Sequence, residues 1–113
     1  MPTRKQKELS ELLRREVSSI ILHRLNDPRM GFVTVTRVEA ARDMRSAKVF
    51  VTVRGSEEEI GGTLESLRHA RGYIQHLLAE RLTIRYTPVL SFEEDEELLE
   101  ARRVSRLIDE VRE

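Results

Sequence analysis

The chain has 113 residues, enough for one domain that buries roughly two-thirds of the surface its unfolded form exposes. It contains no cysteine, which excludes disulfide scaffolds, thiolate zinc sites and thiol catalysis. The formal net charge of zero is a cancellation: residues 1–92 carry 16 Lys+Arg against 11 Asp+Glu, and residues 93–113 carry 4 against 9. A basic body with an acidic tail points to a polyanionic partner. No apolar run approaches the roughly 20 residues of a membrane span, and Met1 to Lys5 leads into a charged segment with no hydrophobic signal core. A cytoplasmic protein with no membrane association is expected.

Thr3 followed by Gln6 predicts a capping box that opens a helix. Leu9, Leu12, Leu13, Val17, Ile20, Ile21 and Leu25 then recur at helical spacing. Arg4, Lys5, Lys7, Arg14 and Arg15 fall mainly off that stripe and give the helix a basic start. Asn26-Asp27-Pro28 stops it, because a proline disfavours helical backbone at the residue before it. Gly31 is expected to take a positive φ in the turn that follows.

Phe32 to Val38 is β-branched and reads as a strand, and Ala47 to Arg54 as a second. The short link between them favours antiparallel pairing. The apolar parity of the first strand changes between Val35 and Val38, which predicts a bulge. Ser56 with Glu59 forms a second capping-box pattern, followed by a stripe of Ile60, Leu64, Leu67, Ile74, Leu77, Leu78 and Leu82. Gly72 interrupts that stripe, so two helices are expected to meet near Ala70-Arg71-Gly72, with the second starting near Tyr73. Pro88 opens a third strand, Val89 to Glu93, and Asp95 to Val111 reads as a last, acidic helix. The order α-β-β-α-kink-α-β plus a C-terminal helix predicts an α+β fold, with helices on one face of a three-stranded sheet.

Catalytic motifs are missing. Gly61-Gly62 lies inside a helical pattern and lacks the Lys-Ser/Thr of a phosphate loop. His23, His69 and His76 match no metal-ligand spacing, and the run Glu93 to Glu97 lacks the alternating ligands and glycine of a calcium loop. No metal, cofactor or enzymatic activity is expected. Phe32 and Phe50 are candidates for an exposed sheet face, but no RRM signature surrounds them. Nucleic-acid binding is therefore expected to rest on phosphate contact and shape.

Four segments together resemble the bacterial ribosome-binding factor A family. They are Asp27-Pro28-Arg29-Met30-Gly31-Phe32-Val33-Thr34-Val35-Thr36, Asp43-Met44-Arg45-Ser46-Ala47-Lys48-Val49-Phe50-Val51, Leu67-Arg68-His69-Ala70-Arg71-Gly72-Tyr73-Ile74, and Leu82-Thr83-Ile84-Arg85-Tyr86-Thr87-Pro88-Val89-Leu90-Ser91-Phe92. The resemblance implies a type II KH-like RNA-binding domain over residues 1–94, followed by the acidic helix over 95–113. It implies a non-enzymatic, monomeric assembly factor that binds the small (30S) ribosomal subunit and its 16S rRNA. Such a factor assists late maturation, supports growth in the cold, and has a ribosome-associated GTPase implicated in its release. KH domains clamp nucleic acid at a GXXG loop, and the family's A-x-G junction falls here on Ala70, Arg71 and Gly72. With Arg68 beside the junction and Arg4, Lys5 and Arg14 on the first helix, these are the expected RNA-binding residues. The alternative reading is a generic KH-like RNA-binding module acting outside the ribosome.

Overall fold

Thr3 caps the first helix, α1 (Arg4–Arg24), as its sequence predicts. Its Oγ1 accepts the Gln6 N–H at 3.1 Å, and Gln6 Oε1 accepts the Thr3 N–H at 2.8 Å. Gln6 is buried and also reaches the sheet, where its Nε2 donates to the Ala40 carbonyl at 3.3 Å. Ser10, one turn further on, accepts the Ala40 N–H at 2.9 Å. The two side chains share one helix face and satisfy both backbone groups of the last residue of strand β1 (Phe32–Ala40). The computed structural model describes residues 1–97, so most of the expected C-terminal helix from Asp95 to Val111 lies outside the described residues.

Strands β1, β2 (Ser46–Arg54) and β3 (Val89–Glu94) form one sheet in the order β1-β2-β3. β1 pairs antiparallel with β2, and β3 pairs parallel with β2. The register shifts between Val35 and Arg37, where the parity change predicts a bulge. Without it, Val35 and Val38 would face opposite sides of the sheet. With it, both join Val49, Val51, Val53, Leu90 and Phe92 on the buried face. In the connecting loop Met44 holds φ +59°, a left-handed conformation unusual for a residue with a long side chain.

The parallel pair is joined by two helices, α2 (Glu57–His69) and α3 (Arg71–Arg81). Leu67, Ile74, Leu77 and Leu78 pack with Leu13, Val17 and Ile20 of α1 over the same sheet face. The Ser56–Glu59 capping box forms and starts α2. The break falls at Ala70 (φ −83°, ψ 0°), so α3 begins at Arg71 rather than Tyr73. From α3, Gln75 reaches the outer edge of β3: its Oε1 accepts the Leu90 N–H at 2.6 Å and its Nε2 donates to the Pro88 carbonyl at 3.0 Å. An edge strand leaves such groups unpaired unless something covers them.

Gly31 departs from expectation. Among the described residues the glycine with positive φ is Gly55 (139°), not Gly31. Gly31 is needed for proximity instead, because a Cβ there would sit 3.1 Å from the Arg54 carbonyl oxygen. Its N–H donates to Oγ1 of the fully buried Thr63 at 2.9 Å, which ties the turn before β1 to α2. Thr63→Val keeps the shape and removes the acceptor. It should destabilise the domain by about 0.5–1.5 kcal/mol in urea denaturation, the usual net loss of a hydrogen bond, here a partly buried one. An unchanged midpoint would mean that this bond contributes nothing to stability.

Candidate nucleic-acid interface

Ala70 is shared by two helices: it ends α2 and begins α3. It offers no side chain to cap α3, and the first turn of α3 holds no acid. Arg71, Gly72 and Tyr73 on that turn are exposed, and the last turn of α2 adds Arg68 and His69. A helix start with positive dipole and no competing carboxylate suits a phosphate. Gly72 has a negative φ, and an added Cβ would meet nothing within 4 Å. Neither backbone strain nor close packing within the domain requires glycine there. The break falls at Ala70, the first residue of the junction that the sequence marks at Ala70-Arg71-Gly72.

The two arginines beside the junction diverge. Arg71 is exposed at the first position of α3. Arg68 turns to the sheet, where its guanidinium donates to the Phe92 carbonyl at 3.1 Å. There it borders a hollow shared with Arg37, Glu93, Glu94 and Glu96. The acids crowd this hollow and oppose phosphate binding within it.

The cations of α1 also split. Arg4 pairs with Glu8 at 3.1 Å in a fully solvated setting, worth little in stability. Arg14 is hydrogen-bonded to Glu11 at 2.5 Å, which holds the Glu11 carboxyl below its usual range and raises Arg14. Arg14 lines a groove of about 750 Å³ between α1 and the outer edge of β1, with Lys7, Arg37 and Arg42. Lys5 lines a different groove, of about 530 Å³, with Leu9, Leu12, Met44, Arg45, Ile84 and Tyr86. Arg81, the last residue of α3, donates to Glu16 and Ser19 of α1 at 3.4 and 3.1 Å. The Lys5 groove is built by the loop that follows this end of α3. None of the residues that line it belongs to the junction from Arg68 to Tyr73. The seven expected residues do not form one patch.

Sequence reasoning missed Arg45 and Tyr86 in that groove, and Arg85 over the Tyr86 ring. The pairing Arg85-Tyr86 was visible as a cation beside an aromatic. Arg45 arrives only through tertiary structure, since its carbonyl accepts the Val89 N–H at 2.9 Å where β3 starts beside β2. Phe50 is no stacking platform: it is buried, with the Arg37 guanidinium 3.9 Å from its ring centroid. Arg37 is held there by Glu39 and lies 3.6 Å from the buried Asp95, which accepts the Thr36 hydroxyl at 2.5 Å. Phe32 is 72% exposed on the same face of the sheet. Among the described residues no group of three His, Cys, Asp or Glu is placed to hold a metal, and no helix is long and apolar enough to cross a membrane.

Near the junction, Asp27 closes the turn before β1. Its Oδ1 accepts the Arg29 N–H at 2.9 Å, and both carboxylate oxygens accept from the Arg29 guanidinium at 3.2 Å. These bonds, the side-chain pair first, hold the Asp27 carboxyl below its usual value. An Asp lowered in the folded state stabilises above its unfolded value of about 3.9 and loses that contribution as pH falls through the folded value. The stability gap between the natural chain and Asp27→Asn should therefore be full above about pH 5 and close in stronger acid, read by urea denaturation across pH. A gap constant with pH would assign the effect to the turn geometry and not to charge.

A family model described as Ribosome-binding factor A matches residues 5–108. The "Ribosome-binding factor A" of Halothermothrix orenii is 44% identical over 113 residues, covering 100% of this chain and 93% of that protein. The crystal structure of ribosome-binding factor A from Thermus thermophilus aligns with TM-score 0.71 and 30% identity, covering 79% of this chain and 93% of that one. A Thermus thermophilus ribosome binding factor A homology model, fitted into the cryo-EM map of a 30S complex, aligns with TM-score 0.65 and 31% identity, covering 76% of this chain and 90% of that one.

Proposed function

This chain belongs to the ribosome-binding factor A family, and on that footing we propose that it binds the small ribosomal subunit and assists late maturation of its 16S rRNA. The likeness to the Thermus thermophilus protein fitted into a 30S complex carries the reading. The charge distribution supports it, since the body of the chain is basic while its last 21 residues are acidic. The domain acts as a monomeric, type II KH-like RNA-binding unit in the cytoplasm, with no catalysis of its own. A ribosome-associated GTPase would act on its release.

Within this reading the A-x-G junction is the RNA contact. Gly72 is open to solvent and needs no φ that another residue could not adopt, so its use is explained by backbone approached from outside the domain. Arg71 adds a cation at the start of the same helix, where N–H dipoles already favour an anion. Arg68, bonded to Phe92, supports the junction by fixing the end of α2 to β3.

Two measurements test the proposal. If about five phosphates are neutralised, the logarithm of affinity for immature small subunits should fall against log salt with a slope of roughly −3.5 to −4.5. A flat response would contradict an electrostatic interface. Gly72→Ala should leave thermal stability unchanged or raise it by up to about 1 kcal/mol, because alanine is the better helix former. The same variant should bind the small subunit about tenfold more weakly, a loss near 1.4 kcal/mol, if RNA occupies the space above residue 72. Full affinity in Gly72→Ala would move the contact away from the junction.

A further inference from the structure

The groove at the far end of α3 is built differently from the other basic surfaces. Tyr86 is 62% exposed and Ile84 is 38% exposed, on a loop that follows α3. The Arg85 and Arg45 guanidiniums lie over the Tyr86 ring, 5.6 and 5.9 Å from its centroid, at the long end of cation–π range. An entering base would therefore displace a mobile exposed guanidinium rather than a packed group. Lys5 stands on the same groove, with Leu9, Leu12 and Met44 as its apolar lining; the two acids there are already engaged, Glu8 with Arg4 and Asp43 with the Arg45 N–H. In the larger groove, Arg14 is tied to Glu11 and Arg37 to Glu39. Lys5, Arg45 and Arg85 form no ion pair with another described residue. Met44 keeps its left-handed φ of +59° at the groove, the kind of strain that clusters at binding sites.

We propose that Tyr86 is a stacking platform for one unpaired nucleotide of an RNA strand, with Arg45, Arg85 and Lys5 holding the phosphates on either side. The proposal rests on the RNA-binding reading and adds a second contact, separate from the junction. An exposed ring flanked by cations beside an apolar lining is the combination that single-stranded nucleic acid binding uses, with stacking supplying contact and the cations tracking the backbone. The ring's face and the apolar lining suit a base, and the three cations suit its phosphodiester neighbours. A protein segment would match the cations only where it carries acids at the right spacing, whereas an RNA strand brings a phosphate with every base. A duplex keeps its bases stacked on one another and presents none to the ring. The surface therefore selects single strands over double strands.

Tyr73 and Tyr86 are the two tyrosines, and the chain has no tryptophan, so in a Tyr73→Phe background intrinsic emission reports on Tyr86 alone. Titration of that full-length variant with a ten-nucleotide single-stranded RNA should quench the emission, and a duplex of the same length should not. Tyr86→Phe should keep the affinity for the single strand, measured by anisotropy of a labelled RNA. Tyr86→Ala should lose about tenfold with an unchanged melting temperature, within the usual effect of removing a stacking ring. Unchanged single-strand affinity in folded Tyr86→Ala would overturn the proposal. So would equal quenching by the duplex, which would mean phosphate attraction only. Reduced small-subunit binding by Tyr86→Ala, without any quenching by RNA, would assign the groove to a ribosomal protein and likewise overturn it. Failure of the unaltered chain to bind small subunits would instead strike the underlying reading, and the quenching experiment is independent of that result.

Discussion

Parallel pairing between β2 and β3 cannot be closed by a turn. Two parallel strands need a crossover that carries the chain back along the sheet. Here α2 and α3 make that crossover, and their apolar stripes bury against the same sheet face that α1 covers. Both candidate contacts follow from this one constraint. The crossover breaks at Ala70 and so exposes the start of α3. Its return into β3 brings Tyr86 beside Arg45 of the β1–β2 loop, because Val89 and Arg45 share the first hydrogen bond of the parallel pair.

Polar side chains hold the layers in register where the backbone alone would leave groups unpaired. Gln6 and Ser10 satisfy Ala40 at the end of β1, Gln75 satisfies the outer edge of β3, and Thr63 satisfies Gly31. Each bond joins a helix to a strand or to the turn before one, and each involves a backbone group that would otherwise be lost from water. A net value of about 1 kcal/mol is usual for such a bond, but leaving its partner buried and unpaired costs more. The helices are thereby fixed in position, so the junction and the Tyr86 loop are presented by a framework with defined ends.

The elements were legible because local signals agreed with one another. Two capping boxes, the stop at Asp27-Pro28 and the strand pattern from Ala47 to Arg54 each have one short-range cause, and the structure forms all of them. The bulge was legible for the same reason, since parity is a property of neighbouring residues. Glycines misled where their cause was tertiary. Gly31 serves a close approach to Arg54 that no local pattern reveals, and Gly72, which marks the junction, leaves the start of α3 at Arg71 and not near Tyr73. The candidate surface was legible only in part. Charge and the A-x-G pattern marked Arg71 and Gly72, but the turn of Arg68 toward Phe92 depends on where β3 docks. Tyr86 and Arg45 lie 41 positions apart, and their meeting depends on strand order.

The central claim is that the two ends of α3 face RNA on the small subunit while the sheet serves as framework. Amide hydrogen–deuterium exchange of the full chain, free and bound to small subunits, tests it most directly, because protection is read residue by residue. The account predicts added protection at residues 70–73 and 84–87 on binding, with the Phe32–Thr36 amides unchanged. Protection concentrated on Phe32–Thr36, with both ends of α3 exchanging as in the free chain, would contradict it.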